Sequence, residues 1–271
     1  MSEPGKVRSA AKGAPEDVAG AQLAPADARR LEEFSLNASG AFQSLVYDGW
    51  LLGYRAGPTK RLRCVNPFYA STIPVSEKIE YCAAFYRAAG LPPLFRLLPF
   101  SHPPELDGVL ERAGWVRFER TLVLHADLGD GLAVHVPTTP VEMVTVPEWV
   151  DASAALLELS DSNRLTALER ARNYPLPHLG ALVRRDGEVV GCGLVKLEAD
   201  AAGLFALATA PGLRSQGIGR AVVAGLLTEA RRRGAQRAYL QVTAANAAAH
   251  ALYAHFGFTT AYDYWYRGLD R

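Results

Sequence analysis

A short glycine-containing segment between an apolar run and a long amphipathic stretch constrains this chain more than any other part of its sequence. The segment is Arg214-Ser215-Gln216-Gly217-Ile218-Gly219; it follows the apolar run 204–209 and precedes apolar periodicity over 220–234. A loop that opens a helix directly after a strand points free backbone N–H groups and the positive end of the helix dipole at one place. The order strand, glycine loop, helix therefore predicts a phosphate or pyrophosphate site. The alternative is a tight turn without a ligand.

The residues that follow the glycines exclude two common phosphate motifs. A P-loop needs Lys and then Ser or Thr after its second glycine, where this chain has Arg220-Ala221. A dinucleotide fingerprint needs Gly or Ala three positions beyond Gly219 and an acidic residue about 20 positions further on. Here position 222 is Val, and positions 239–241 are uncharged. The pattern that remains is Arg-x-x-Gly-x-Gly.

A second motif lies downstream of the glycine loop. Residues 239–243 are typical of a short strand, and Asn246-x-x-Ala249-x-x-Leu252-Tyr253-x-x-x-Gly257-Phe258 is typical of a helix that ends at a glycine C-cap. In this order, the two motifs resemble those of the GCN5-related N-acetyltransferase (GNAT) family.

The resemblance implies a transferase that moves the acetyl group of acetyl-CoA to an amine by direct attack. It implies that Tyr253 protonates the departing thiolate. The cofactor-binding residues that it implies lie on the strand, in the loop and at the start of the second helix: Leu207, Ala208, Thr209, Arg214, Ser215, Gln216, Gly217, Ile218, Gly219, Arg220 and Asn246. No metal is expected. A packed aromatic on an amphipathic helix is the alternative role for Tyr253.

The general base is not identified by the sequence. Many family members carry Glu or Asp on the strand before the loop, whereas residues 204–209 contain no carboxylate. The candidates that remain are Glu198, Asp200, Asp161, Glu169, His178, His250 and His255. Cys192 has no adjacent base, and it is expected to be a buried thiol like Cys64 and Cys82.

The spacing of Pro and Gly residues repeats along the chain. Pro67 to Gly90 spans the same distance as Pro211 to Gly234, and a further glycine, Gly114 or Gly257, ends a second helix in each copy. The repeat predicts an α+β fold with a mixed sheet, built as two GNAT-like domains in tandem. An unrelated α+β domain in the first half is the alternative.

The first copy lacks the glycine pair of the second. Ile73 and Val75 stand where Gly217 and Gly219 stand in the second copy, so we expect one acetyl-CoA per chain. The predicted divisions are a mobile tail at 1–24, a degenerate domain at 25–128, a linker at 129–139 and a catalytic domain at 140–271. Strands are predicted at 42–47, 50–54 and 61–65 of the first half.

The charge and hydropathy of the sequence limit the classes of partner and location that we expect. The formal net charge is +1, which gives no electrostatic reason to expect nucleic acid or a membrane surface. No apolar run approaches the length of about 18 residues that a membrane span needs, and the start of the chain has no secretion signal, so a cytoplasmic protein is expected.

Two classes of function remain open: an N-acetyltransferase acting on a small-molecule or protein amine, and a non-catalytic acyl-CoA-binding module. Neither the acceptor nor the oligomeric state can be deduced from the sequence. The aromatic residues Tyr262, Tyr264, Trp265 and Tyr266 are expected to pack on the sheet or to form a wall of the acceptor pocket.

Overall fold

A computed structural model of the chain describes residues 23–39, 43–55, 57, 59–129 and 139–269. The predicted tail at 1–24 and the predicted linker at 129–139 lie largely outside these residues. None of the described helices is long and apolar enough to cross a membrane.

The described residues of the first half form three α-helices and five strands. The helices are α1 (Pro25–Ser39), α2 (Val75–Ala88) and α3 (Leu106–Arg112), and the strands are β1 (Ser44–Tyr47), β2 (Trp50–Gly53), β3 (Val65–Pro67), β4 (Leu94–Leu97) and β5 (Val116–Asp127). Helices α2 and α3 are each followed by a glycine in the left-handed region, Gly90 and Gly114, as the repeat predicts.

The predicted strand at 61–65 is wrong over most of its length. Residues Lys60–Leu62 form a 3₁₀ turn, closed by a hydrogen bond from the Leu62 N–H to the Thr59 oxygen at 3.1 Å, and β3 begins only at Val65. Leu62 and Cys64 are both buried. Buried residues at positions 62 and 64 have the two-residue period of a strand, although the backbone between them turns.

The elements of the second half come in the order strand, two helices, three strands, helix, strand, helix and strand. Its elements are β6 (Glu142–Val144), α4 (Val146–Ser153), α5 (Asp161–Asn173), β7 (His178–Arg185), β8 (Glu188–Glu198), β9 (Ala201–Thr209), α6 (Ile218–Arg232), β10 (Arg237–Thr243), α7 (Ala247–Ala254) and β11 (Thr259–Gly268). Thr145 and Glu148 form a capping box at the start of α4.

All eleven strands of the described chain join one mixed sheet in the order β1-β2-β3-β4-β11-β5-β10-β9-β8-β7-β6. Strand β5, from the first half, lies between β10 and β11 of the second half and is antiparallel to both. Strand β11 lies between β4 and β5. Each half therefore places its last strand inside the other half, and the α+β class with a mixed sheet is confirmed.

Helices cover both faces of the second half's sheet. On one face, α6 packs against Ala238 and Leu240 of β10. On the other face, α1 packs near Tyr239, while α4 and α5 pack over β7 and β8. A Cβ added at Gly191 of β8 would lie 2.4 Å from Ile218 Cγ2, so the absence of a side chain there lets the start of α6 approach the sheet closely.

Candidate active site

The glycine loop leaves a row of backbone donors at the start of α6. Gly217 is the N-cap residue in the left-handed region with φ of 81°, and Ser215 is also left-handed with φ of 62°. The first helical hydrogen bond runs from the Ala221 N–H to the Gly217 oxygen at 2.9 Å. Within the described chain, no hydrogen bond occupies the N–H groups of residues 215–220. These donors are therefore free to bind an anion.

The loop is open to solvent on one side and fixed to the core on the other. Arg214 to Gly217 are exposed, Arg220 is exposed, and Ile218 is buried beneath them. Nothing lies within 4 Å of a Cβ added at Gly217. The Arg185 Nη1 atom donates to the Gln216 Oε1 atom at 3.0 Å. The loop thus presents its backbone outward from a rigid base.

Gly219 marks the point where the two sequence motifs meet. A Cβ added there would lie 3.4 Å from Thr209 Oγ1, at the end of β9, and 3.5 Å from Leu252 Cδ2, on α7. The loop, the end of β9 and the helix that carries Tyr253 are therefore adjacent, although 34 residues separate Gly219 from Tyr253 in the sequence.

Strand β9 pairs with β10 only near its first residues and is separated from it toward Thr209. The parallel pairing between them covers only Ala201–Gly203 and ends at Tyr239 of β10. On its other edge, β9 is bulged: Phe205 pairs with Leu194, but Ala208 pairs with Cys192, so two residues of β9, Ala206 and Leu207, face one residue of β8. The rest of β9, including Leu207, Ala208 and Thr209, therefore has a free backbone edge toward the gap.

Tyr253 is buried on α7, with its ring 5.9 Å from the ring of Phe258. No described residue forms a hydrogen bond with its hydroxyl. Burial raises the pKa of Tyr253, so the hydroxyl keeps its proton at neutral pH. The geometry fits both the packing role and the role of an acid.

Asn246 has a local role that the sequence motif does not reveal. Its Oδ1 atom accepts a hydrogen bond from the Ala249 N–H at 3.1 Å and caps the start of α7. The side chain is exposed. It therefore fixes the helix that positions Tyr253.

Several candidates for the general base have partners elsewhere. Asp200 forms an ion pair with Arg237 at 2.8 Å and precedes β9, at the end of the strand remote from the bulge. Glu198 accepts from the Asn37 Nδ2 atom at 2.9 Å. His178 contacts the Leu176 oxygen at 2.7 Å and the Ala171 oxygen at 3.1 Å, and His250 contacts the Thr243 oxygen at 3.2 Å. Asp161 and Glu169 are exposed on α5.

A polar cavity that was not predicted from the sequence lies on the face of β10 opposite α6. It has a volume of about 250 Å³ and is lined by Thr59, Lys60, Arg61, Glu119, Thr121, Gln241, Thr243, Tyr264 and Tyr266. Gln241 accepts hydrogen bonds from Arg61 and from the Tyr264 hydroxyl, and it donates to Ser35. Gln241 and Thr243 follow the last residue of β10 that pairs with β9, so the cavity lies beside the gap. No sequence signal connects Arg61 with Gln241, because 180 residues separate them.

In the first half, a carboxylate of the chain itself occupies the place that corresponds to the anion loop. The Asp48 side chain accepts hydrogen bonds from the backbone N–H groups of Thr72 and Ile73, each at 2.9 Å, just before α2. Lys78 lies 3.2 Å from the same carboxylate. These hydrogen bonds, with that from the Ile73 N–H the strongest, hold the pKa of Asp48 well below its usual range. The donors at this helix start are therefore already bound to an internal anion.

The second half matches a known family by sequence. A profile of the acetyltransferase (GNAT) family matches residues 147–258. The ribosomal protein bS18-alanine N-acetyltransferase of Escherichia coli strain K12 is 35% identical over 91 residues, which are 34% of this chain and 62% of that protein. The chain therefore spans less than two thirds of the length of this relative.

Most of the chain matches known structures in fold. A GCN5-related N-acetyltransferase from Kribbella flavida has a TM-score of 0.64 and 19% identity, over 90% of this chain and 96% of that one. A tandem GNAT protein from the clavulanic acid biosynthesis pathway has a TM-score of 0.53 and 17% identity, over 68% of this chain and 67% of that one. The glycine loop, the bulged strand and the Tyr253 helix all lie in or beside the segment matched by the family profile. Residues 147–258 thus match the acetyltransferase (GNAT) family in sequence, and the chain is similar in fold to the two solved structures.

Proposed function

We propose that this protein is an acetyl-CoA-dependent N-acetyltransferase that acts on a primary amine. The observation that carries the proposal is the meeting, at Gly219, of the glycine loop, the end of β9 and helix α7. A pyrophosphate, a thioester and an acid for the departing thiolate need these three features close together.

The backbone of the loop and of β9 supplies the binding contacts. The free N–H groups of residues 215–220 at the start of α6 suit the pyrophosphate, and Arg214 and Arg220 add positive charge. The free edge of β9 from Leu207 to Thr209 suits the amides of the pantetheine arm. The bulge leaves a backbone N–H outside the sheet ladder, where it can stabilise charge on the thioester oxygen.

The reaction needs one bond made, one bond broken and two proton transfers. The neutral amine nitrogen forms a bond to the thioester carbon, and the carbon–sulfur bond breaks as the thiolate leaves. The Tyr253 hydroxyl gives its proton to the thiolate, and the amine proton passes to water, because the carboxylates considered above are exposed or held elsewhere. Tyr253 then regains its proton from solvent.

A pair of matched glycine substitutions tests the binding part of this proposal. Gly217 and Gly234 stand at the two ends of α6, both with positive φ and both with open space around an added Cβ. Gly217→Glu and Gly234→Glu should therefore have similar backbone strain. Only Gly217→Glu places a carboxylate at the anion loop, so it alone should abolish acetyl-CoA binding in calorimetry. Unchanged affinity in a folded Gly217→Glu protein would refute the loop as the pyrophosphate site.

The same titration gives the number of sites per chain. We expect one acetyl-CoA, because the Asp48 carboxylate already occupies the corresponding donors in the first half. Two equivalent sites would contradict this expectation.

The alternative, a non-catalytic acyl-CoA-binding module, predicts the same binding without release of free CoA thiol when amines are added. Assaying thiol release over a library of primary amines separates the two functions.

A further inference from the structure

Three cationic side chains from different parts of the chain converge on the face of the sheet opposite α6. Lys196 on β8 donates from Nζ to the Ala38 oxygen at 2.6 Å. Arg170 on α5 donates from Nη2 to the Ser39 oxygen at 2.7 Å. Arg61, in the 3₁₀ turn, donates to Gln241. None of the three forms an ion pair with a carboxylate of the described residues. We call Arg61, Arg170 and Lys196 the cation cluster.

The contacts within the protein do not balance the charge of the cluster. Ala38 and Ser39 end α1, and a helix C-terminus supplies only about half of one negative charge. The acid nearest to Lys196 along β8, Glu198, is held by Asn37 at 2.9 Å. The described contacts of Arg170 and Lys196 are therefore carbonyl oxygens and, for Lys196, the face of the Tyr174 ring at 3.9 Å, and none of them is a carboxylate.

The side chains of the cluster also perturb one another. Burial, together with the guanidinium groups of Arg170 and Arg61, lowers the pKa of Lys196 to about 7. Burial and the charges of Arg55 and Arg61 lower the pKa of Arg170. Like charges held together in partly buried positions are unfavourable unless an anion joins them.

The cluster lies on the face of the sheet that carries the cavity beside the gap between β9 and β10. The Lys196 Nζ atom is 5.7 Å from the ring centroid of Phe205, the residue before the bulged Ala206. Arg61 lines the 250 Å³ cavity together with Gln241 and Thr243, beside the gap between β9 and β10. Of the three cations, Arg61 lines this cavity, and Arg170 and Lys196 lie on the same face of the sheet.

We propose that the acceptor is a small amine that also carries an anionic oxygen group, a carboxylate or a phosphate, bound by Arg61, Arg170 and Lys196. The proposal rests on the proposed transferase function and names its class of acceptor. Arg61 and the carbonyl groups of α1 come from the first half of the chain. The first half therefore completes the acceptor site of the second.

Direct titration tests the anion site without turnover. The probes are succinate and inorganic phosphate, added to the full chain in a calorimeter. Arg170→Gln and Arg61→Gln should each weaken the binding of at least one probe by about 10- to 100-fold, the effect of losing one charge-assisted hydrogen bond. Arg172→Gln is the matched control, because Arg172 is exposed in the last turn of the same helix as Arg170. It should bind the probes as the unaltered protein does.

Matched acceptors then test the effect on catalysis. Acetylation of β-alanine is compared with that of β-alaninamide, and acetylation of phosphoethanolamine with that of ethanolamine. We expect a higher kcat/KM for the acceptor with the anionic group in at least one pair, and that pair identifies the preferred anion. Arg170→Gln should make the kcat/KM values of the two members of that pair similar. Faster reaction of the uncharged members, or equal probe affinities in Arg170→Gln and Arg172→Gln, would overturn the proposal. Binding of succinate without any binding of acetyl-CoA would instead refute the transferase function and support the anion site.

Discussion

Burial shifts the pKa values of Tyr253 and Lys196 in opposite directions, because in both cases it favours the neutral side chain. Tyr253 gains a firmer hold on its proton, which suits a group that must still be protonated when a thiolate forms beside it. Lys196 holds its proton less firmly, and a nearby anion would restore the charged form. Burial thus keeps the Tyr253 hydroxyl on α7 protonated and makes the charge of Lys196 on β8 sensitive to its surroundings.

Removing the Tyr253 hydroxyl should separate catalysis from packing. Tyr253→Phe keeps the ring against Phe258 and deletes only the proton, so turnover should fall by about 10²- to 10⁴-fold. Acetyl-CoA affinity and the melting temperature should change little. The check is the rate of CoA thiol release at saturating acetyl-CoA. A turnover equal to that of the unaltered protein would leave Tyr253 with the packing role alone.

The lowered pKa of Lys196 should appear in the pH dependence of stability. Unfolded lysine has a pKa of about 10.4, so between pH 7 and 10 the unfolded chain binds a proton that the folded chain does not. Lys196 therefore destabilises the fold most at or below pH 7, and this cost diminishes as the pH rises. Relative to the unaltered protein, Lys196→Met should have its greatest advantage in unfolding free energy near pH 7 and a smaller one at pH 9. Urea unfolding at both pH values measures this, and a difference independent of pH would contradict it.

At the scale of elements, the sequence predicts those features that depend only on residues close together in the chain. Helices α6 and α7 end where Gly234 and Gly257 take positive φ, and only the chain near each glycine decides that. The bulge at Ala206 was not predicted, because the run 204–209 is apolar throughout and the bulge depends on pairing with β8. Arg61 and Gln241 were not brought together either, since apolar periodicity does not reveal which strands become neighbours.

The position of α6 depends on a glycine in the strand beneath it. Gly191→Ala would force a Cβ to within 2.4 Å of Ile218 Cγ2, and overpacking of this kind costs about 1–3 kcal/mol of stability. It should also displace the start of α6 and weaken acetyl-CoA binding. Gly212→Ala is the control, because Gly212 lies close to the same loop with nothing within 4 Å of an added Cβ. Urea unfolding and calorimetry on both variants test this, and equal effects would show that α6 does not rely on close packing at Gly191.

At the scale of the molecule, the exchange of β5 and β11 makes the proposed domains at 25–128 and 140–271 mutually dependent. Strand β10 pairs with β5 from Arg237 to Thr243, and β11 pairs with β5 over most of its length. Each half without the other would expose unpaired strand edges beside apolar surface. The spacing of Pro and Gly repeats between the halves, but the sheet that they form is shared.

A fragment of residues 140–271 should therefore be poorly soluble and inactive. It contains the glycine loop and Tyr253 but lacks β5, and it also lacks Arg61 and α1 from the acceptor side. Co-expression with residues 1–139 should restore soluble, active protein, and this serves as the control. Expression of each fragment, alone and together, followed by thiol-release assays, is the measurement. Full activity of residues 140–271 alone would show that the exchanged strand is dispensable.

The exchanged strands also determine when the protein can finish folding as it is made. The end of β5 is separated from the start of β10 by more than 100 residues, which a ribosome adds in about 5 to 20 s. During this interval β5, with the apolar run Leu122-Val123-Leu124 at its centre, has neither of its neighbours, and β4 waits still longer for β11. The first half therefore cannot be completed as an independent unit during translation. Until β10 and β11 emerge, the nascent chain exposes unpaired edges of β4 and β5, which are sites for aggregation.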